Sequence, residues 1–151
     1  FKETKTTSAD TRLYTRLVLH FMNVTLLDSE KIKRYLTLKF KGVYGIGSQG
    51  NEDADYIINC LKDFISNDNS IQGVICDFSE MEYTFGNRLA KIFDTNILRP
   101  NKALFVRIIP RSTDYRNWKS LIEECTSGLA DDYLMNSTST AIKDMNRKIN
   151  Q

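Results

Sequence analysis

The run Gly45-Ile46-Gly47-Ser48-Gln49-Gly50 is where residue types and spacing first suggest chemistry. Glycines at GxGxxG spacing, behind a strand and ahead of a helix, let backbone amides close on a pyrophosphate. Asp77 would stand at the end of the next strand, where a carboxylate can hold a ribose hydroxyl. This gives a small-ligand or nucleotide-binding reading built on Gly45, Gly47, Gly50 and Asp77. The charges nearby oppose it. A phosphate needs the positive end of a helix, and Glu52, Asp53 and Asp55 are expected to crowd that first turn. The preceding strand also carries Lys39 and Lys41. A flexible glycine loop is the competing expectation.

Other chemical side chains are sparse. Asp77, Glu80 and Glu82 form a small acidic cluster near a strand end. Acid–base catalysis needs a cause for a raised pKa, and the sequence offers none, so a solvated loop is expected. His20 is the sole histidine and lies far in sequence from any nucleophile; a structural or partly exposed role is expected. Cys60, Cys76 and Cys125 are widely separated, odd in number and without CxxC spacing. They predict three buried free thiols in a reducing, cytoplasmic compartment, with neither disulfide nor zinc. No catalytic residue, metal or cofactor is expected. Tyr83, Phe85, Tyr115 and Trp118 are expected mostly in the core; Tyr83 and Phe85, if exposed, would mark a contact surface.

The elements that would position these residues follow from periodicity. Leu36, Leu38 and Phe40 alternate with Thr37, Lys39 and Lys41, which predicts a strand over 35–44. Ala54, Ile57, Ile58, Leu61 and Ile65 fall on one face of a helix beginning near Asn51. Gly73 to Phe78 reads as a buried central strand, 87–93 as helical with Leu89, Ile92 and Phe93 inward, and Ala103 to Ile109 as a strand stopped by Pro110. Thr113 is expected to cap a helix over 114–125, with Tyr115, Trp118, Leu121, Ile122 and Cys125 inward. A short edge strand over 133–135 and a helix over 138–149 complete the order. Residues 12–27 are read as a strand closed by a break at Asp28-Ser29-Glu30, and 1–11 as a flexible N-terminal arm. Residues 12–151 are read as one α/β domain, a central mixed, mostly parallel sheet of four to five strands flanked by about four helices.

With 151 residues, the chain is long enough for a substantial core. Its 21 basic and 19 acidic residues are mixed along the sequence, so no basic block predicts nucleic-acid binding. No apolar run approaches the length of a membrane span, and no membrane insertion is expected.

Asp77-Phe78-Ser79, the aromatic Tyr83 and the C-terminal stretch from Leu121 through Gly128-Leu129 and Asp132-Tyr133-Leu134 to Ala141 resemble the sulfate-transporter and anti-sigma-factor-antagonist (STAS) domain family. The resemblance spans about residues 12–149 and implies a regulatory interaction domain with another protein, such as a kinase-like partner. In regulatory members a serine in the turn opening the second helix is phosphorylated. Here Phe85, Gly86, Asn87 and Arg88 occupy that turn, so no serine or threonine matches the phosphoacceptor; Thr84 is the nearest hydroxyl. The resemblance places an interaction surface on Glu80, Glu82, Tyr83, Thr84, Phe85, Asn87 and Arg88, together with the exposed face of the following helix. Gly42-Val43-Tyr44-Gly45, the helix to Ile65 and Ile71-Gln72-Gly73-Val74-Ile75 also look like the first half of a ClpP or crotonase-type fold. That likeness implies a following loop that supplies an oxyanion hole or precedes a catalytic serine, but a Ser-Pro-Gly-Gly type of turn and a later nucleophile in a recognisable setting are both absent, so an inactive member is expected.

Overall fold

A computed structural model of the chain describes residues 23 to 151. The expected arm over 1–11, His20 and the first part of the strand expected over 12–27 lie outside the described residues. The described part of that strand is β1 (Val24–Ile32), which turns at Lys33-Arg34 into β2 (Tyr35–Val43). The break expected at Asp28-Ser29-Glu30 is absent, because β1 runs through it. An edge strand tolerates charge, and what the polar run marks is a register shift between Leu26 and Asp28 that leaves Leu27 unpaired.

β2 leads to α1 (Ser48–Ser66), β3 (Gly73–Glu82), a 3₁₀ helix (Asn87–Phe93), the single-turn α2 (Thr95–Leu98) and β4 (Phe105–Pro110). α3 (Tyr115–Cys125) and α4 (Thr138–Ile149) follow. The sheet order is β1-β2-β3-β4. β1 pairs antiparallel with β2, and β2, β3 and β4 pair parallel. The expected edge strand over 133–135 is a single parallel bridge from Leu134 to Ile108. The fold is α/β, with a mixed, mostly parallel sheet.

Strand alternation sorts the two faces. Leu36, Leu38, Phe40, Val74, Cys76, Phe78, Val106 and Ile108 pack with α1, the 3₁₀ helix, α2 and α3 in the larger core. Tyr35, Ile75 and Ile109 point the other way, against Ala141 and Met145 of α4. Two buried arginines tie helices to this frame. Arg99 donates to the carbonyls of Ile65, Asp68 and Ile71, which satisfies the C-terminal end of α1. Arg107 donates to Asp144 of α4 at 2.8 Å.

Several local expectations change. α1 starts three residues before Asn51, so Gly50 lies inside it, and Glu52, Asp53 and Asp55 sit past its first turn. β3 continues to Glu82, so Asp77 is within the strand rather than at its end. Its carboxylate accepts from the Ser79 N–H at 2.9 Å, beside a register shift opposite Lys39 and Lys41. Thr113 does not cap α3; a short 3₁₀ turn (Ser112–Asp114) precedes it. Trp118, Leu121 and Ile122 are buried, but Tyr115 and Cys125 are exposed, since α3 presents only one face to the core. Cys60 and Cys76 are buried thiols; Cys125 is not.

Candidate interaction site

The carboxyl ends of β2 and β3 lie side by side because the two strands are parallel. Ligands of open α/β sheets collect at this end. A cleft of about 540 Å³ opens here, within the range of roughly 300–1,000 Å³ usual for binding pockets. One wall is the connection after β3, with Thr84, Phe85, Gly86 and Asn87. Gly47 and Asn51, from the start of α1, close one side. Asn117, Ser120 and Glu124 of α3 form the opposite wall. Their spacing of three and four residues puts them on one helix face.

The connection is held from below. Tyr83 is buried, and its hydroxyl donates to the Gly86 carbonyl at 3.0 Å. Its backbone N–H donates to the buried Asp114 carboxylate at 2.9 Å. Asn117 Nδ2 donates to the Tyr83 carbonyl at 3.0 Å. Arg111 fixes Asp114 through Nε and Nη2 at 3.0 and 2.9 Å. The Tyr83 ring lies between Tyr44 and Trp118, and Trp118 stacks on Phe78. Gly86 takes φ 134°, a conformation open to glycine, and a Cβ there would meet the Tyr44 ring at 3.0 Å. Burial pushes the Tyr44 hydroxyl up to about 12 and raises that of Tyr83 well beyond the ordinary range. Neither phenol is an acid at neutral pH.

The expected surface residues therefore separate. Phe85 projects from the connection and is 56% exposed, Thr84 and Asn87 are exposed beside it, and Tyr83 is an internal support. Glu80 and Glu82 belong to β3, not to a loop. Glu80 pairs with Lys39 at 2.8 Å and Glu82 with Arg111 at 3.7 Å. The Lys39 ammonium hydrogen-bonds Glu80 and lowers its carboxyl pKa. Arg88 grips Asp55 with two hydrogen bonds, at 2.9 and 3.3 Å. The α3 wall was absent from the sequence-derived surface. Its signal was the polar row Asn117, Ser120 and Glu124 beside Leu121, which also lines the cleft, with Trp118 and Ile122 turned further toward the core.

The glycine segment is packed differently from a phosphate cradle. The Gly45 N–H donates to Asp53 Oδ2 at 2.8 Å, and the Asn23 N–H donates to Asp53 Oδ1 at 3.2 Å. Asp53 is buried, so a carboxylate of the chain sits where an anion would compete. A Cβ on Gly50 would collide with the Gly45 carbonyl, and one on Gly45 would lie 2.7 Å from Gln49 Cβ. These two glycines allow close backbone approach between the loop and α1. Gly47, by contrast, has open space and φ 69°. Asp77 lies on β3 and is not among the residues lining the cleft.

Among the described residues, no cluster of histidine, cysteine and carboxylate side chains could hold a metal ion. No helix among them is long and apolar enough to cross a membrane. No protein-family model matches the sequence, and no curated protein matches it.

Proposed function

We propose that the chain is a non-enzymatic regulatory domain, STAS-like in element order, that binds another protein through the Thr84–Arg88 connection and the facing wall of α3. Phe85 carries this reading. A phenylalanine more than half exposed on a connection held by three internal hydrogen bonds is a preformed aromatic anchor. An apolar side chain kept in water on a rigid support is suited to be covered by a partner. The partner would be a kinase-like or other regulatory protein. The turn holds Gly86 and Asn87 where regulatory STAS members carry their phosphoacceptor, so binding would proceed without phosphorylation of this turn.

The small-ligand alternative draws less support, because the Asp53 carboxylate already accepts the Gly45 amide. The test is affinity capture from the source cell with wild-type protein and Phe85→Ser. The partner should be lost with the variant while the melting temperature is unchanged. Charge reversal of Glu82 and Arg88 should also weaken capture, but it breaks the pairs with Arg111 and Asp55, so Phe85→Ser is the cleaner arm. Equal recovery of the same proteins by wild type and Phe85→Ser would remove this surface from consideration.

A further inference from the structure

The chemistry of the cleft narrows the partner. Glu124 is the sole charged side chain lining it, and it has no ion-pair partner among the described residues. The remaining polar lining consists of Asn51, Thr84, Asn87, Asn117 and Ser120, all neutral. Asn117 spends its Nδ2 on the Tyr83 carbonyl, which leaves its Oδ1 as an acceptor. Phe85 supplies an exposed ring at the rim. No lysine or arginine lines the cleft to neutralise a phosphate; the nearby Arg88 is bound by Asp55.

The geometry points to a guanidinium site: the cleft receives an arginine side chain of the partner protein, with Glu124 as its carboxylate and Phe85 as its ring. An arginine brings five N–H donors and no acceptor, which the Glu124 carboxylate and the Asn117 Oδ1 can receive. Its flat cation also stacks on an aromatic face. The inference rests on the interaction surface proposed above and adds the chemical identity of what enters it.

Selection of random twelve-residue peptides displayed on phage tests it, using the full chain as bait. Wild-type protein should enrich peptides with a fixed arginine. A synthetic copy of the best peptide should lose roughly tenfold to hundredfold in affinity on Glu124→Gln, the range for a charge-assisted hydrogen bond. Glu124→Lys should redirect the selection to peptides with an acidic residue. Unchanged melting temperature and Trp118 fluorescence would establish that each variant is folded.

A consensus without a basic residue, preference for phosphoserine peptides in a parallel array, or no enrichment at all would overturn the guanidinium assignment. If Phe85→Ser abolishes binding while Glu124→Gln does not, the surface stands and its arginine specificity fails. If both variants bind like wild type, the surface fails as well.

Discussion

The Asp114 carboxylate accepts a hydrogen bond from the Tyr83 backbone N–H at 2.9 Å, joining the end of β3 to the start of α3. The contact is buried, and the same carboxylate is gripped by Arg111. This acid and Asn117, which donates to the Tyr83 carbonyl, together set the distance between the two walls of the cleft.

Replacing it should be costly. Asp114→Ala leaves the buried Tyr83 N–H unpaired and removes two hydrogen bonds from Arg111, a loss of about 2–4 kcal/mol. Urea unfolding would give the stability change. Hydrogen exchange at the Tyr83 amide should also accelerate in the variant. An unchanged exchange rate would show that Asp114 does not hold the connection.

Tyr44→Phe should run against the usual trend. The Tyr44 hydroxyl is buried and has no hydrogen-bond partner among the described residues. Deleting an unsatisfied hydroxyl removes a desolvation penalty of about 1–3 kcal/mol without losing a bond. The variant is expected to be as stable as wild type or more stable. Thermal denaturation showing a drop of several degrees would mean that the hydroxyl has an acceptor.

Two glycines of one segment should respond differently. Gly50→Ala drives a methyl group into the Gly45 carbonyl, and overpacking of this kind costs about 1–3 kcal/mol. Gly47→Ala meets open space and bears only the strain of a backbone at φ 69° and ψ −135°, about 1–3 kcal/mol. Paired unfolding curves would measure both costs; a Gly50→Ala variant as stable as wild type would contradict the close-approach account.

Alkaline pH should destabilise the fold. Burial pushes the thiols of Cys60 and Cys76 up to about 11 and 12, and the phenols of Tyr44 and Tyr56 up to about 12. Their ordinary values are 9.0 for the thiols and 10.0 for the phenols. Each folded-state value is raised, so the folded state keeps protons that the unfolded chain releases. The contribution is complete below the ordinary values and is lost as pH climbs through 9 toward the folded values, by up to ~1.4 kcal/mol per pH unit per group. Urea midpoints at pH 8, 9 and 10 should fall in that order, less steeply in Cys76→Ala. A flat profile would contradict it.

The sequence made the fold legible where burial imposes a period. Leu36, Leu38 and Phe40 spelled β2, and Ala54 through Ile65 spelled the inward face of α1. It was misleading where a polar residue serves the interior. Asp53 read as a first-turn acid at the positive end of a helix, yet it is buried and holds the Gly45 and Asn23 amides. Asp114 read as the start of a helix, yet its carboxylate serves Tyr83, 31 residues away. Such long-range bonds leave no periodic trace. The proposed surface was half legible for the same reason: the connection after β3 is contiguous in sequence, whereas Glu124 reaches the cleft only through the packing of α3. Arg111, which braces that packing, carried no sequence signal either.

The two borders of the sheet have a further consequence. On β4, Ile108 exchanges backbone hydrogen bonds with Tyr133 and Met135. On β1, the Leu26 N–H donates to the Tyr56 hydroxyl at 2.9 Å and the Ser29 N–H to Asp28 Oδ1 at 2.9 Å. A β-strand border with free amides is a template on which further chains can stack into fibrils. The backbone bonds at Ile108, the side chains on two β1 amides, and a bulge and charges along β1 all oppose such growth.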